Sequence, residues 1–269
     1  MGLYFPTEDL EFYVDLNTVQ LTRLGLEKQV LFYPLAIFDT VTLRVVTLAT
    51  VLSLLYTLVI SSMIKSSSGN FSSIAFLLST LSFFHFQIDM HLVRQQIALY
   101  LFLLAIFGSK RNVIRFALLL AAFAYHEVAI VLFCAFVFIK ITGFLNNVVK
   151  EIHLGLISVL VELALFAKYF HTGIILLIII SLAIYFSVNA KSSQPLVKLF
   201  YWFIVLLFTL DQGGYLSVVS MERLIGVAAS LGLLILIAFG NKNTKNVKTK
   251  EYIKLSLFVS YGGYFFVTH

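Results

Sequence analysis

From Val41 onward the chain is a succession of long apolar runs separated by short polar punctuation, near 41–64, 71–86, 94–109, 116–139, 152–167, 173–188, 197–210, 222–240 and 252–268. A helix of about 20 apolar residues crosses the hydrocarbon core of a bilayer with every backbone group bonded inside the segment. The pattern therefore predicts an all-α, polytopic transmembrane helical bundle of about nine to ten spans. Composition agrees: 60% of the 269 residues are hydrophobic and 12% charged, and a mean hydropathy of +0.98 excludes disorder and an ordinary water-soluble domain. Three Pro and fourteen Gly argue against a loop-rich β architecture. No internal repeat appears, so residues 1–269 read as one integral membrane domain. Residues 1–40 form its polar external N-terminal segment, and nothing in 1–39 has the pattern of a cleaved signal.

Several runs are short for a core of about 30 Å at about 1.5 Å per residue, which predicts some short or broken helices. The net charge of +6 would suggest nucleic acid in a soluble protein. Here the cations read as topology determinants instead, and no nucleic-acid partner is expected. Lys65, the group Lys110, Arg111 and Arg115, the pair Lys140 and Lys150, the pair Lys191 and Lys198, and the series from Lys242 to Lys254 mark the cytoplasmic side. Arg23, Lys28, Arg44, Arg94, Lys168 and Arg223 then fall outside or near the outer leaflet. Run 116–139 alone has both ends inside, so it either breaks near Tyr125-His126-Glu127 or crosses straight against the rule. Both versions bury His126 and Glu127.

The polar groups thus gather at the external face. Arg94 follows His85, Gln87, Asp89 and His91 at the entry of a span; it is either a binder of phosphate or carboxylate oxygens or an anchor paired with Asp89. Gln95 and Gln96 either orient sugar hydroxyls or bond neighbouring helices. His126 beside Glu127 suits general acid–base work or an interhelical hydrogen bond. Arg223 repeats the logic of Arg94 after an external loop carrying Asp211, and is either half of a diphosphate clamp or an ion-pair partner of Glu222. Glu162, in mid-span, is a proton or ligand group or a partner for a hydroxyl. No metal site is expected: the fourth residue after His126 is Ile130, not a second His, and Cys134 is the only cysteine. No P-loop and no dinucleotide glycine motif occur, so no cofactor is expected and the donor is one already in the membrane.

The run Leu92-Val93-Arg94-Gln95-Gln96-Ile97-Ala98-Leu99-Tyr100, the basic turn Lys110-Arg111, the helix ending in Ala124-Tyr125-His126, Asp9-Leu10-Glu11-Phe12-Tyr13 and Glu222-Arg223-Leu224 together resemble the EpsG family of Wzy-type polysaccharide polymerases. The resemblance implies a GT-C-like bundle in the bacterial inner membrane. It implies joining of undecaprenyl-diphosphate-linked oligosaccharide repeats into O-antigen or exopolysaccharide at the outer face, beside flippase and chain-length regulator proteins. Arg94 and Arg223 would hold the diphosphate, His126 with Glu127 would act as base, and Gln95, Asp89, His91 and Asp211 would contact substrate. The competing expectation is a transporter or flippase of a lipid-linked or anionic substrate, built on the same arginines.

Overall fold

The computed structural model describes residues 41–67, 93–144, 151–169, 172–187 and 195–239. All regular structure among them is helical: α1 (Val41–Ser67), α2 (Val93–Leu103) continued by a π-helical turn (Leu104–Gly108), α3 (Asn112–Tyr125), α4 (Val128–Phe144), α5 (Glu151–Tyr169), α6 (Thr172–Ser187), α7 (Pro195–Gln212) and α8 (Val218–Phe239). Each apolar run within the described residues is a helix with ends within a few residues of expectation. The runs 71–86 and 252–268, the segment 1–40, and Asp89 and His91 lie outside the described residues. Among those described, one helix, α7, is by itself long and apolar enough to cross a membrane.

Run 116–139 is broken. His126 has extended backbone angles (φ −163°, ψ 144°), with its N–H closing the last turn of α3 on the Ala122 carbonyl. Its Nδ1 accepts the N–H of Val128 at 3.1 Å, and its carbonyl accepts from Ala129. One side chain thus competes with the helical ladder and satisfies the first donor of α4, a break that needs neither Gly nor Pro. The two pieces, of 14 and 17 residues, are about 21 and 26 Å long at about 1.5 Å per residue.

Burial assigns the layers. In α7 the buried positions Leu196, Leu199, Phe200, Phe203, Ile204, Leu207 and Asp211 follow one helical stripe, which Tyr201, also buried, widens. In α8 every position from Val227 to Leu236 is buried, and α2 is buried at all positions but Arg94 and Leu101. These two helices form the centre, which small residues allow. A Cβ on Gly232 would lie 2.4 Å from the Ile180 side chain of α6 and 3.0 Å from the Phe200 ring of α7, so any larger residue there forces helices apart. The α2–α3 hairpin is fixed by Arg115, whose guanidinium donates to the carbonyls of Ala105 (3.1 Å) and Ser109 (3.0 Å). Those carbonyls end the π-helical turn, where helical partners run out.

The periphery is apolar. On α5 the outward positions are Leu156, Ile157, Leu160 and Leu163, while Gly155, Ser158 and Glu162 face inward. That is the reverse of a helix in water.

Packing partners fix how the ends align. Gly155 of α5 lies against Tyr201 of α7, and Lys168 against Asp211, so α5 and α7 run parallel. Phe138 stacks on Trp202, bringing the end of α4 to the start of α7, and Phe200 meets Gly232, bringing the start of α7 to the later half of α8. Arg94, His126, Lys168, Asp211 and Arg223 consequently share one end of the bundle. Arg115, Lys140 and Lys198 belong to the other.

Candidate functional site: two arginines and a histidine at one end of the bundle

The site begins with the two central helices. Arg94 is the second residue of α2 and Arg223 lies in the second turn of α8, so the guanidiniums project where those helices reach one end of the core. Arg94 is half-buried and Arg223 exposed. His126 arrives from the α3–α4 break, outside both helices, and is half-buried. Burial first, and then the charges of Arg94 and of Arg223, hold its imidazole down at about 4, against an ordinary value of 6.5. Both guanidinium charges act on the ring of His126, consistent with residues 94, 126 and 223 sharing one end of the bundle.

The ring is therefore neutral at neutral pH, and its tautomer follows from its bond. Nδ1 accepts the Val128 N–H, so the proton of the neutral ring lies on Nε2. The nitrogen facing away from the backbone is a donor. Two guanidiniums and an Nε2–H are all donors, and the two arginines are cationic, a combination of groups that suits an anion with several oxygens.

The neighbouring residues divide. Glu127 is exposed, contrary to the expectation that the break buries both members of the pair. The chain leaves α3 in an extended conformation there, so the side chain of 127 falls on the outer side of the corner. Gln95 is 1% exposed, and both of its amide atoms lack a hydrogen-bond partner among the described residues. Gln96 is buried with Nε2 on the Ser230 hydroxyl at 2.8 Å.

Asp211, expected at the substrate, is engaged elsewhere. Its buried carboxylate takes Lys168 Nζ at 2.8 Å on Oδ2 and the Tyr169 hydroxyl on Oδ1, with Gln212 Nε2 at 3.2 Å. It ties α5 to α7 and has little acceptor capacity left. Asp89 and His91, and the side chain of Glu222, lie outside the described residues. Lys168 and Tyr169, the partners of Asp211, carried no signal beyond their place at a span end. Ser230, the partner of Gln96, carried none.

Comparison with known proteins finds no match for this chain: no protein-family model, no curated protein and no solved structure is significantly similar to it.

Proposed function

We propose that the protein is a multi-pass membrane polymerase of the bacterial inner membrane, joining undecaprenyl-diphosphate-linked oligosaccharide repeats into O-antigen or exopolysaccharide at the outer face. The observation that carries this reading is the convergence of Arg94, His126 and Arg223, from three separate parts of the chain, on one end of the bundle. The end is the one the distribution of Lys and Arg marks as external. The inside-out pattern of α5 supports an apolar solvent around the bundle, and the resemblance to the EpsG family supports the substrate class.

In the transfer, the bond from the anomeric carbon of the growing chain to its diphosphate breaks. A glycosidic bond to a hydroxyl of the incoming repeat forms, and that hydroxyl loses its proton. Charge accumulates on the departing diphosphate, where Arg94 and Arg223 stabilise it in a site with limited water. His126, neutral with its proton on Nε2, adds a third donor to the same oxygens; in this arrangement it has no free ring lone pair for the acceptor proton. The exposed carboxylate of Glu127, next in sequence, takes that proton.

The test is the glycan profile of cells lacking the gene, complemented with the intact protein or with Arg94→Ala, Arg223→Ala or His126→Ala at matched membrane levels. Collapse of the long ladder to single repeats in the variants supports the reading. Wild-type ladders from all three overturn the site. An unchanged ladder on deletion, with lipid-linked repeats accumulating on the cytoplasmic leaflet, overturns polymerisation in favour of a flippase.

A further inference from the structure

A second polar group lies inside the bundle, away from the arginines and unused by the transfer. Glu162, on α5, is 0% exposed. Gly155, Ser158 and Glu162 are spaced three and four residues apart and share one face of α5. Ser181 and Tyr185, four apart, share a face of α6, and Tyr201 comes from α7. The Ser181 hydroxyl donates to Glu162 Oε1 at 2.5 Å, and the Ser158 hydroxyl approaches the same oxygen at 3.5 Å. A Cβ on Gly155 would lie 3.0 Å from the Tyr185 ring and 3.4 Å from the Tyr201 hydroxyl, so the missing side chain is what lets both tyrosines approach.

The two carboxylate oxygens are unequal. Oε1 has two hydroxyl donors, whereas Oε2 is buried with no hydrogen-bond partner, and so is the hydroxyl of Tyr201. That hydroxyl lies beside Gly155, two helical turns along α5 from Glu162, and is not hydrogen-bonded to Oε2. Among the described residues, the groups bonded to Glu162 are the hydroxyls of Ser181 and Ser158, and no cation pairs with it. Lys168, the cation farther along α5, is committed to Asp211. An ionised carboxylate buried among apolar helices without a counter-charge is costly by several kcal/mol, and the same carboxyl carrying a hydrogen is not.

We propose that Glu162 is the centre of a proton-binding site between α5 and α6: it takes one proton from water onto Oε2, while Oε1 remains the acceptor of the serine hydroxyls. The proton removes the buried charge and leaves the hydroxyl bonds of α5 and α6 to Oε1 in place. A larger cation would need further oxygen ligands that these hydroxyls, already donating to Oε1, supply poorly. The site stands apart from the polymerase reading, since neither its residues nor its readout involve the arginines.

The test is difference infrared spectroscopy on the full-length protein in lipid nanodiscs at pH 7, in H2O and D2O, with sodium and with choline as the cation. Expected are a carbonyl band of a protonated carboxylic acid that shifts in D2O, disappears in Glu162→Gln and moves in frequency in Ser181→Ala, in either cation. Glu162→Gln, isosteric with the protonated acid, retains the wild-type melting temperature. Absence of a Glu162-dependent band in choline overturns the proposal. A band present in choline and lost in sodium overturns it in favour of a sodium site.

Discussion

Gln96 on α2 donates from Nε2 to the hydroxyl of Ser230 on α8 at 2.8 Å, across 134 positions of sequence, with both residues buried. The bond couples the two central helices close to their arginines: Arg94 is two residues before Gln96, and Arg223 is two helical turns before Ser230. Ser230→Ala leaves both amide groups of Gln96 unpaired, because Gln96 Oε1 already lacks a partner. Interhelical bonds of this kind contribute about 0.6 kcal/mol and at most about 1.7. Ser230→Ala should therefore lower stability in unfolding titrations by about 1 kcal/mol, and polymer length should shorten. Ser230→Thr, which keeps the hydroxyl, should restore more of the length than Ser230→Val; equal lengths from the two would detach the bond from the site.

Arg94→Lys and Arg223→Lys should rescue little of the ladder lost in the alanine variants. A lysine keeps the charge but not the planar fork that engages two oxygens at once. With removal of one stabilising donor costing about 10²–10³ in rate, turnover of lipid-linked repeats by either lysine variant should stay at least tenfold below wild type. Near-normal turnover would mean that charge alone suffices.

At His126 two amide substitutions separate two functions. Asn places an acceptor near the position of Nδ1 and can hold the Val128 N–H, whereas Gln places a donor near the position of Nε2. If the donor assists the diphosphate, His126→Gln retains more turnover than His126→Asn, and His126→Asn retains more thermal stability. The opposite order in turnover would make the residue a cap and nothing more.

The same ring makes stability depend on pH. Its folded value, about 4, lies below the ordinary 6.5, so between these values the unfolded chain binds the extra proton. The stabilisation is present above about pH 6.5 and is lost as pH falls through about 4. His126→Gln should flatten the fall in melting temperature across that window. An unaltered slope would mean that neither burial nor the two arginine charges depresses protonation of the ring.

How much of this was legible in sequence depends on range. Hydrophobic runs are local, so the helices from α1 to α8 lie where the runs lie. The break at His126 was readable as a polar interruption of an apolar run, although choosing between a bent and a straight helix required knowing that Nδ1 caps Val128. Glu127 was misplaced because burial of one residue in a corner says little about the next. Asp211 looked available for substrate because its partner Lys168 is 43 residues away, beyond the reach of any periodicity. Arg94 and Arg223 could be ranked by chemistry, but their convergence on one histidine is a property of packing.

Asp211 accordingly separates structural from substrate roles. With its carboxylate buried and bonded to Lys168 and Tyr169, Asp211→Asn should lower the melting temperature. Lys168 is 45% exposed, so solvent weakens the pair and the loss should be small. At matched membrane levels the ladder should keep its length. A shortened ladder without a stability change would return Asp211 to the substrate.

The division of the bundle into two ends makes the last prediction. Tyr215 follows α7 at the end shared by Arg94, His126 and Arg223, is exposed, and comes after Gly214, whose positive φ of 72° turns the chain toward α8. Lys110 is exposed in the α2–α3 turn at the opposite end. Because Cys134 is the only cysteine, a Cys134→Ala background leaves no competing thiol. In intact spheroplasts a membrane-impermeant maleimide should label Tyr215→Cys and spare Lys110→Cys, and inverted vesicles should reverse the result. Labelling of both from one side would mean that α7 and the α2–α3 hairpin do not cross the bilayer in the arrangement their charges dictate, and the external site would fall with it.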